Sequence, residues 1–271
     1  MPELQELFDL TDRVAIVTGG AGLLGAEFCR TLAAAGAHVV IADVDEEMTL
    51  RVLETLSVIG LGVKTDIASL ESVKRLVETT LKTFGRLDIL VNSAVIDPKF
   101  DPSHAGEQKG FDFETYPLDL WNQALAVNLT GMFLCCQASV KAMLVQGQGV
   151  MINICSIYGV VGPDQRIYQG EGQPAQYKPV YYSVTKAGVL GLTNYLATYY
   201  AGKNIRVNAL TPGGVYNEHA EAFVKEYAAR TVLGRMANKS EMNGALLFLA
   251  SDASSYMTGA NLIVDGGWTA W

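Results

Sequence analysis

Residues 14–25, VAIVTGGAGLLG, decide the fold of this chain. The first five residues are apolar or β-branched without alternation, as expected of a strand that is covered on both faces. A glycine-rich turn follows at once, and residues 25–35 continue with a helical pattern. Strand, turn and helix N-terminus in this order direct free backbone N–H groups and the positive end of the helix dipole at one point. The stretch therefore predicts a binding site for the pyrophosphate of a dinucleotide.

The same rhythm of short β-branched runs and longer helical patterns continues along the chain. Strands are predicted at residues 14–18, 39–43, 63–66, 87–92, 150–156, 205–210 and 261–264. Helices are predicted at residues 25–35, 69–83, 120–145, 181–200 and 239–250. Alternation of this kind implies right-handed βαβ crossovers. The predicted fold class is α/β, a doubly wound Rossmann fold with a seven-stranded parallel sheet flanked by helices, in a single NAD(P)-binding domain over residues 1–271.

Composition narrows the class of protein. Of the 271 residues, 49% are hydrophobic, which is enough for a buried core. The net charge of -8 argues against a nucleic-acid partner or an anionic membrane surface. The first residues lack the features of a signal peptide, and no apolar run is expected to be long enough to span a bilayer, so a cytoplasmic protein is expected. The four cysteines and three histidines show no metal-ligand spacing, so no metal site is expected.

A carboxylate ends the second predicted strand. Asp43 lies 18 residues after Gly25. At this position it can accept hydrogen bonds from both hydroxyls of an adenosine ribose, and it would repel a 2′-phosphate. No Arg or Lys occurs in residues 19–25 or 42–47. These observations favour NAD over NADP as the cofactor, while the alternative for Asp43 is a solvated acid at a strand end.

A second chemical signature is residues 182–187, YSVTKA. In a helix, Tyr182 and Lys186 lie on one face because they are four residues apart. A phenol titrates near pH ~10 unaided, and a fixed ammonium beside it favours the phenolate. The pair therefore suits a tyrosine general base whose pKa the lysine lowers, although the same spacing is also typical of an ordinary amphipathic helix.

Together with further motifs, these residues resemble the short-chain dehydrogenase/reductase family over residues 10–267. The matching motifs are Thr18-Gly19-x-x-x-Leu23-x-Gly25, Asp66-Ile67, Asn92-Ser93-Ala94-Val95, Asn128 in VNLTG, Ser156, Tyr182-x-x-x-Lys186 and Pro212-Gly213. They follow successive predicted strands in the family's order. Leu23 and Val95 stand where the family has glycine, and the 26 positions between Ser156 and Tyr182 exceed the family's usual spacing.

The resemblance implies hydride transfer between NAD and a secondary alcohol or ketone. Tyr182 is then the acid/base, Lys186 lowers its pKa and holds the nicotinamide ribose, and Ser156 bonds the substrate oxygen. Asn128 would anchor a water leading from Lys186 to solvent. Its alternative is a helix asparagine bonded only to backbone, and that of Ser156 is a plain strand-end hydroxyl. The implied cofactor-binding residues are Gly19, Gly22, Leu23, Leu24, Gly25, Asp43, Asp66, Ile67, Asn92, Ala94, Tyr182, Lys186, Pro212, Gly213 and Val215.

Three long segments, near residues 97–119, 162–179 and 215–235, are predicted substrate loops because they follow strand ends. Their polar side chains favour a polyhydroxylated or acidic small molecule, with a sugar, polyol or sugar derivative as the leading class. These side chains are Gln165, Arg166, Tyr168, Gln176, Lys178, Asn217 and His219. Arg166 is a candidate clamp for a carboxylate or phosphate, or else a surface residue. Residues 158–173 and 264–271 resemble a branch of flagellin-modification or sugar-pathway oxidoreductases.

Two alternative functions remain open, and a homo-oligomer is predicted. One rival is a reductase of a small ketone or acyl substrate, and the other is a dinucleotide-sensing protein without catalysis. The latter predicts damage at Ser156, Tyr182 or Lys186, and none is damaged. The family resemblance and the apolar patterns at 120–145 and 181–200 predict a homo-oligomer, a dimer or tetramer. The aromatic tail at 268–271 is expected to pack on a neighbour or near a pocket.

Overall fold

The computed structural model describes residues 3–97, 112–169 and 176–271. The strands in this part of the chain are β1 (Val14–Thr18), β2 (His38–Asp43), β3 (Gly60–Lys64), β4 (Ile89–Asn92), β5 (Gly149–Ile154), β6 (Ile205–Pro212) and β7 (Asn261–Val264). They form one sheet in the order β3-β2-β1-β4-β5-β6-β7, and every pairing is parallel. The strand order reverses between β1 and β4, which is the position where such sheets bind ligands. The predicted doubly wound, seven-stranded parallel sheet is confirmed.

Helices cover both faces of the sheet. They are α1 (Leu23–Ala34), α2 (Glu46–Leu53), α3 (Leu70–Phe84), α4 (Leu118–Leu125), α5 (Met132–Gln146), α6 (Val180–Tyr199), α7 (Glu221–Ala228) and α8 (Asn243–Ala250). A π-helical turn, Ala126–Gly131, joins α4 to α5. The predicted helix at 239–250 begins as a 3₁₀ turn, Lys239–Met242.

Three elements depart from the sequence predictions. The eight-residue helices α2 and α7 were not predicted, since each is too short to show a clear helical period. Strand β3 begins at Gly60 rather than at residue 63. The sequence does not reveal this start because glycine occupies two of its positions. A Cβ at Gly60 or Gly62 would lie only 2.8 or 2.7 Å from side chains of α2. Glycine there gives no β-branched signal to read.

Residues of β1 alternate between two cores. Val14 and Ile16 pack in the cluster that includes α3, α5 and α6, whereas Ala15 and Val17 pack in the cluster that includes α1 and α8. Because both faces are covered, the first four residues of the strand are all apolar, and only Thr18 at its carboxyl end is polar. The four cysteines are free and buried.

A third, aromatic cluster lies around the carboxyl ends of the strands. Trp268 is buried there and stacks on Tyr227, with 4.4 Å between ring centroids. Trp271 remains exposed and donates its indole N–H to the carbonyl of Arg230 at 3.3 Å. The C-terminal tail therefore packs, through Trp268, against a residue of the cavity described below.

One helical stretch corrects an expectation about membranes. Because the π turn makes α4 and α5 continuous, Leu118–Gln146 is 29 residues long with a mean hydropathy of 1.2, and by length and composition alone it could cross a bilayer. In the structure 44% of its apolar window is buried within the chain, where α5 packs against α3. The core helix of a globular protein meets the same criterion.

Candidate active site

A cavity of about 1210 Å³ lies at the carboxyl ends of the strands, across the switch point. It is lined by the glycine turn, by the ends of β2 to β6, and by parts of the three predicted substrate loops. Residues 98–111 and 170–175 of those loops lie outside the described residues. The predicted site residues that line it are Gly19, Gly22, Leu23, Leu24, Gly25, Asp43, Asp66, Ile67, Ala94, Ser156, Tyr182, Lys186, Pro212, Gly213 and Val215.

The glycine turn is shaped by close backbone approaches. Gly19 has φ +63°, and a Cβ on it would lie 2.6 Å from the Cα of Ala94. A Cβ on Gly25 would lie 2.0 Å from the carbonyl oxygen of Gly19. No side chain caps the start of α1, so its first amides are free to bind an anion. Leu23 is already helical and half-exposed, so a side chain fits where the family has glycine.

Asp43 stands beside this turn. Its Oδ2 accepts a hydrogen bond from the amide of Ala21 at 3.0 Å, and its Oδ1 accepts one from the amide of Asp45 at 3.1 Å. Lys64, its neighbour on β3, is engaged by Glu46 at 3.0 Å. Asp43 itself forms no ion pair with any residue in the described ranges. The carboxylate is therefore held at the cavity wall, and the cation beside it on β3 is already paired with a glutamate rather than placed to bind a phosphate.

Two predicted residues lie behind the cavity wall. Asn92 is buried and donates from Nδ2 to Oδ1 of Asn153 at 2.9 Å, so its side chain faces the core and does not reach the cavity. Asn128 is also buried, in the π turn. Its Oδ1 accepts from the amide of Ile96 at 2.7 Å and its Nδ2 donates to the carbonyl of Ile96 at 3.0 Å.

These contacts show what the side chain of Asn128 binds, while the water predicted between Lys186 and solvent stays a prediction. Its amide already makes two hydrogen bonds to a single backbone unit and a longer one, 3.4 Å, to the hydroxyl of Thr185. The reciprocal pair fixes the segment after β4 to the π turn, and the contact with Thr185 links that turn to α6. The arrangement supports the backbone-bonding alternative, in which Asn128 positions the cavity wall.

The three chemical side chains come together between β5 and α6. Ser156 lies two residues beyond β5, where its Oγ accepts a hydrogen bond from the amide of Tyr158 at 3.2 Å. Lys186 Nζ donates to the carbonyl of Ile154 at 2.8 Å and lies 5.8 Å from the ring centroid of Tyr182. Tyr181, by contrast, does not line the cavity and faces Tyr116. The structure thus brings Tyr182, rather than Tyr181, beside Ser156 and Lys186.

Burial dominates the electrostatics of this group. It raises the pKa of Tyr182 well above its usual value; the negative charge of Asp97 adds to that rise, and the hydrogen bond with Ser156 opposes it. Burial also lowers the pKa of Lys186 to about 8. Desolvation, which disfavours the charged form of both groups, here outweighs any lowering of the Tyr182 pKa by Lys186.

Lys178 contributes a feature that the sequence did not reveal. Its ammonium lies 3.9 Å from the ring centroid of Tyr182 and 2.5 Å from Oδ1 of Asp97. Because Pro179 lies between Lys178 and the start of α6, helical spacing does not predict the contact. Arg166, the predicted anion clamp, does not line the cavity and pairs with Asp164 at 2.7 Å. The predicted substrate-lining residues that do reach the cavity are Tyr168, Gln176, Lys178, Asn217 and His219.

Comparison with known proteins identifies the architecture. A family model described as "Enoyl-(Acyl carrier protein) reductase" matches residues 20–269. Cis-4-hydroxycyclohexanecarboxylate dehydrogenase of Sinomonas cyclohexanicum is 37% identical over 268 residues, covering 96% of this chain and 97% of that protein. A short chain dehydrogenase from Leptospira borgpetersenii, solved with bound NAD⁺, has a TM-score of 0.82 and 32% identity, covering 99% of this chain and 96% of that one. This chain belongs to the short-chain dehydrogenase/reductase family.

Membership fixes the class of chemistry. Short-chain dehydrogenase/reductases bind a nicotinamide dinucleotide, and this member is an oxidoreductase acting on hydroxyl groups. A gluconate 5-dehydrogenase from Burkholderia cenocepacia J2315, solved with NADP and tartrate, has a TM-score of 0.83 and 30% identity, covering 98% of this chain and 99% of that one. The two solved short-chain dehydrogenase/reductases thus hold different dinucleotides.

Proposed function

We propose that this protein is an NAD-dependent dehydrogenase that transfers hydride between the nicotinamide and a secondary alcohol or ketone of a polar, polyhydroxylated small molecule. The observation that carries the proposal is the grouping of Ser156, Tyr182 and Lys186 in the same cavity as the glycine turn and Asp43. A dinucleotide with its pyrophosphate at the turn can extend toward these three side chains.

The cavity fits such a dinucleotide. A Cβ at Gly19 or Gly25 would fill the turn that has to approach the pyrophosphate closely. Asp43 would bind the adenosine ribose, and Asp66 with Ile67 would flank the adenine. Tyr182 and Lys186 would hold the nicotinamide ribose, next to the wall formed by Pro212, Gly213 and Val215. When bound, the dinucleotide accepts or supplies the hydride.

The residues of the chain handle the proton. In the oxidation direction the phenolate oxygen of Tyr182 takes the proton of the substrate hydroxyl, and in reduction the phenol returns it. Burial opposes the phenolate, so nearby positive charge is required for it to form. The ammonium of Lys186, 5.8 Å from the ring centroid, would supply that charge, whereas the ammonium of Lys178 is paired with Asp97. Ser156 would hydrogen-bond the substrate oxygen as its charge develops.

The choice of NAD rests on Asp43. Its carboxylate lies where a 2′-phosphate would come, and the only described cation adjacent to it on β3, Lys64, is already paired with Glu46. Repulsion between the Asp43 carboxylate and a 2′-phosphate would disfavour NADP. The NAD⁺ complex of the Leptospira relative supports the assignment, while the NADP complex of the gluconate 5-dehydrogenase makes it a matter for measurement.

The polar part of the lining supports a hydroxylated substrate. Gln176, Lys178 and Asn217 provide hydrogen-bonding groups in the lining of the cavity, and the ammonium of Lys178 lies over the ring of Tyr182. The names of two relatives specify hydroxylated carboxylates, hydroxycyclohexanecarboxylate and gluconate. The rival is a reductase of a small ketone or acyl substrate, and the description of the matching family model favours it.

A two-cofactor substrate panel tests the proposal. The purified protein would be assayed with NAD and with NADP against sugars, polyols, hydroxy acids and simple secondary alcohols, and in reverse against ketones and enoyl thioesters. We expect oxidation of hydroxylated polar substrates with a clear preference for NAD. Turnover confined to enoyl thioesters would establish the rival function, and absence of all turnover despite NADH binding would favour a dinucleotide sensor.

We also propose that the protein is a cytoplasmic homo-oligomer, a dimer or tetramer. Large apolar and aromatic side chains remain exposed on α5 and α6, namely Phe133, Leu144, Val145, Tyr195 and Tyr199. The stacked pair Tyr195 and Tyr199 lies on the outer face of α6, with 5.6 Å between ring centroids. Contact with a second copy would cover such a surface. Light scattering during size-exclusion chromatography measures the assembly state, and a monomer at micromolar concentration would contradict it.

A further inference from the structure

A second cation lies beside the catalytic tyrosine. Two cationic side chains of the described residues, Lys178 and Lys186, line the cavity. Lys186 donates to the carbonyl of Ile154, which turns it toward β5. Lys178 instead lies over the ring of Tyr182, and its side chain is only 13% exposed. Poor hydration is unfavourable for an ammonium, and here the carboxylate of Asp97 offsets that cost.

The backbone of Lys178 is fixed while its ammonium keeps spare donors. Gln165 accepts from the amide of Lys178 at 2.8 Å and donates to its carbonyl at 3.2 Å. An ammonium has three N–H donors. In the part of the chain that the structure describes, Asp97 is the one hydrogen-bond acceptor of Nζ. The carboxylate of Asp97 is 35% exposed, so solvent or a ligand can compete for the ammonium.

Gln176 independently indicates a ligand-binding position in the cavity. This side chain lines the same cavity and is only 7% exposed. Its Nε2 is buried and has no hydrogen-bond partner among the described residues. A buried unpaired donor is unfavourable, and the terminal amide torsion of glutamine is soft enough to turn the donor toward an acceptor in the cavity.

We propose that Lys178 and Gln176 form a carboxylate-binding subsite beside Tyr182, and that the substrates are hydroxy carboxylates whose carboxylate replaces Asp97 on the ammonium. The inference rests on the proposed dehydrogenase function and names the substrate class for it. A carboxylate suits the pair because its two oxygens accept from an ammonium and an amide together. Since Nζ lies over the ring of Tyr182, the hydroxyl that reacts would be only a few bonds from the carboxylate.

Binding of a non-reacting pair of probes tests the subsite directly. Cyclohexanecarboxylate and its neutral isostere cyclohexanecarboxamide would be titrated calorimetrically into the NADH-loaded protein. We expect the carboxylate to bind at least about 10-fold more tightly than the carboxamide, as for a charge-assisted hydrogen bond. Equal affinities, or no binding of either probe, would overturn the subsite.

Three variants separate charge recognition from a structural role. Lys178→Met should remove the preference for the carboxylate, and Lys178→Arg should retain most of it. Asp97→Asn removes the competing anion, so it should tighten carboxylate binding several-fold. Arg166→Met is the matched control, because it removes a positive charge from the same segment outside the cavity. If Lys178→Met and Asp97→Asn both weaken binding, the pair merely supports the fold and the subsite is refuted.

Turnover distinguishes failure of this inference from failure of the proposed function. Oxidation of 4-hydroxycyclohexanecarboxylate would be compared with that of its neutral carboxamide. Equal kcat/KM for the two would leave the dehydrogenase intact and refute the subsite. Carboxylate binding that depends on Lys178, without oxidation of any alcohol, would support the subsite and refute the dehydrogenase. Thermal unfolding of each variant verifies that it folds.

Discussion

The two ends of the cavity are built in opposite ways. At the nucleotide end the backbone forms the surface, because Gly19 and Gly25 allow main-chain atoms to approach one another and α1 begins without a side-chain cap. At the chemical end side chains form the surface, and Tyr182, Lys186 and Lys178 bring their functional groups from α6 and the segment before it. The first end therefore depends on the absence of side chains, and the second on their identity.

The ends also differ in how they treat charge. Asp43 is fixed by two backbone amides and stays available to neutral hydroxyls. Tyr182 and Lys186 are so enclosed that burial disfavours the charged form of each. A substitution at the nucleotide end should thus alter binding or folding, whereas a substitution at the chemical end should alter turnover or pH dependence. Four substitutions test this division, two at each end.

The largest effect is expected at the chemical end, for Tyr182→Phe. Without the hydroxyl no side chain at this position can take or return the proton, so kcat should fall by about 10³-fold or more. Binding of NADH should stay within about 2-fold of wild type, because the ring and the backbone are retained. Stopped-flow turnover and NADH fluorescence titration measure the two effects. Substantial residual turnover would remove Tyr182 from its role.

At the nucleotide end the most damaging single change should be Gly25→Ala. The added Cβ would lie 2.0 Å from the carbonyl oxygen of Gly19, and backbone cannot yield as a flexible side chain does. We expect a loss of about 3 kcal/mol in the free energy of unfolding, together with weaker dinucleotide binding. Gly191→Ala in α6 is the matched control, since no atom lies within 4 Å of its added Cβ, and helix propensity should stabilise that variant by up to about 1 kcal/mol. Urea unfolding measures both, and equal stabilities would refute the close-approach argument.

The contrast between the ends also explains what could be predicted from the sequence. The glycine turn and Asp43 lie within 30 residues of one another and obey local rules, so both were found at the cavity. Tyr182 and Lys186 were located by their helical spacing and Ser156 through the resemblance, and the structure brings the three together. The direction of the Tyr182 pKa shift was not predictable, because it depends on burial and on Asp97, 85 positions away in sequence.

Contacts between residues distant in sequence also explain two further differences between the sequence predictions and the structure. Asn92 and Asn128 match site motifs in the sequence, but in the structure Asn92 donates to Asn153 in the core and Asn128 bonds the backbone of Ile96. The contact of Lys178 with Tyr182 depends on how the segment before α6 folds back, which no helical period encodes. The local sequence pattern therefore predicts the element on which a motif residue lies, whereas packing between distant segments determines which groups its side chain contacts.

A smaller effect, at the chemical end, concerns pH. Burial lowers the pKa of Lys186 to about 8 from 10.5, so between these values the unfolded chain binds this proton more tightly than the folded one. The unfolding free energy of wild type should therefore rise relative to Lys186→Met as pH increases above 8, by up to about 1.4 kcal/mol per pH unit. Below pH 8 the difference in unfolding free energy between wild type and Lys186→Met should be constant. Urea unfolding at pH 7, 8.5 and 10 tests the slope, with Lys203→Met, which removes an exposed lysine, as the control variant.

The smallest effect is expected at the nucleotide end, for Asp43→Asn. Loss of the carboxylate removes both the acceptor for the ribose hydroxyls and the charge that repels a 2′-phosphate. The ratio of kcat/KM with NAD to that with NADP should fall by about 10-fold, equivalent to about 1.4 kcal/mol. Asp45→Asn is the control: it also removes a negative charge from the cavity lining, but asparagine can still cap α2 as Asp45 does. If both variants shift the ratio equally, the preference reflects the general negative field of the cavity, and the specific role of Asp43 is lost.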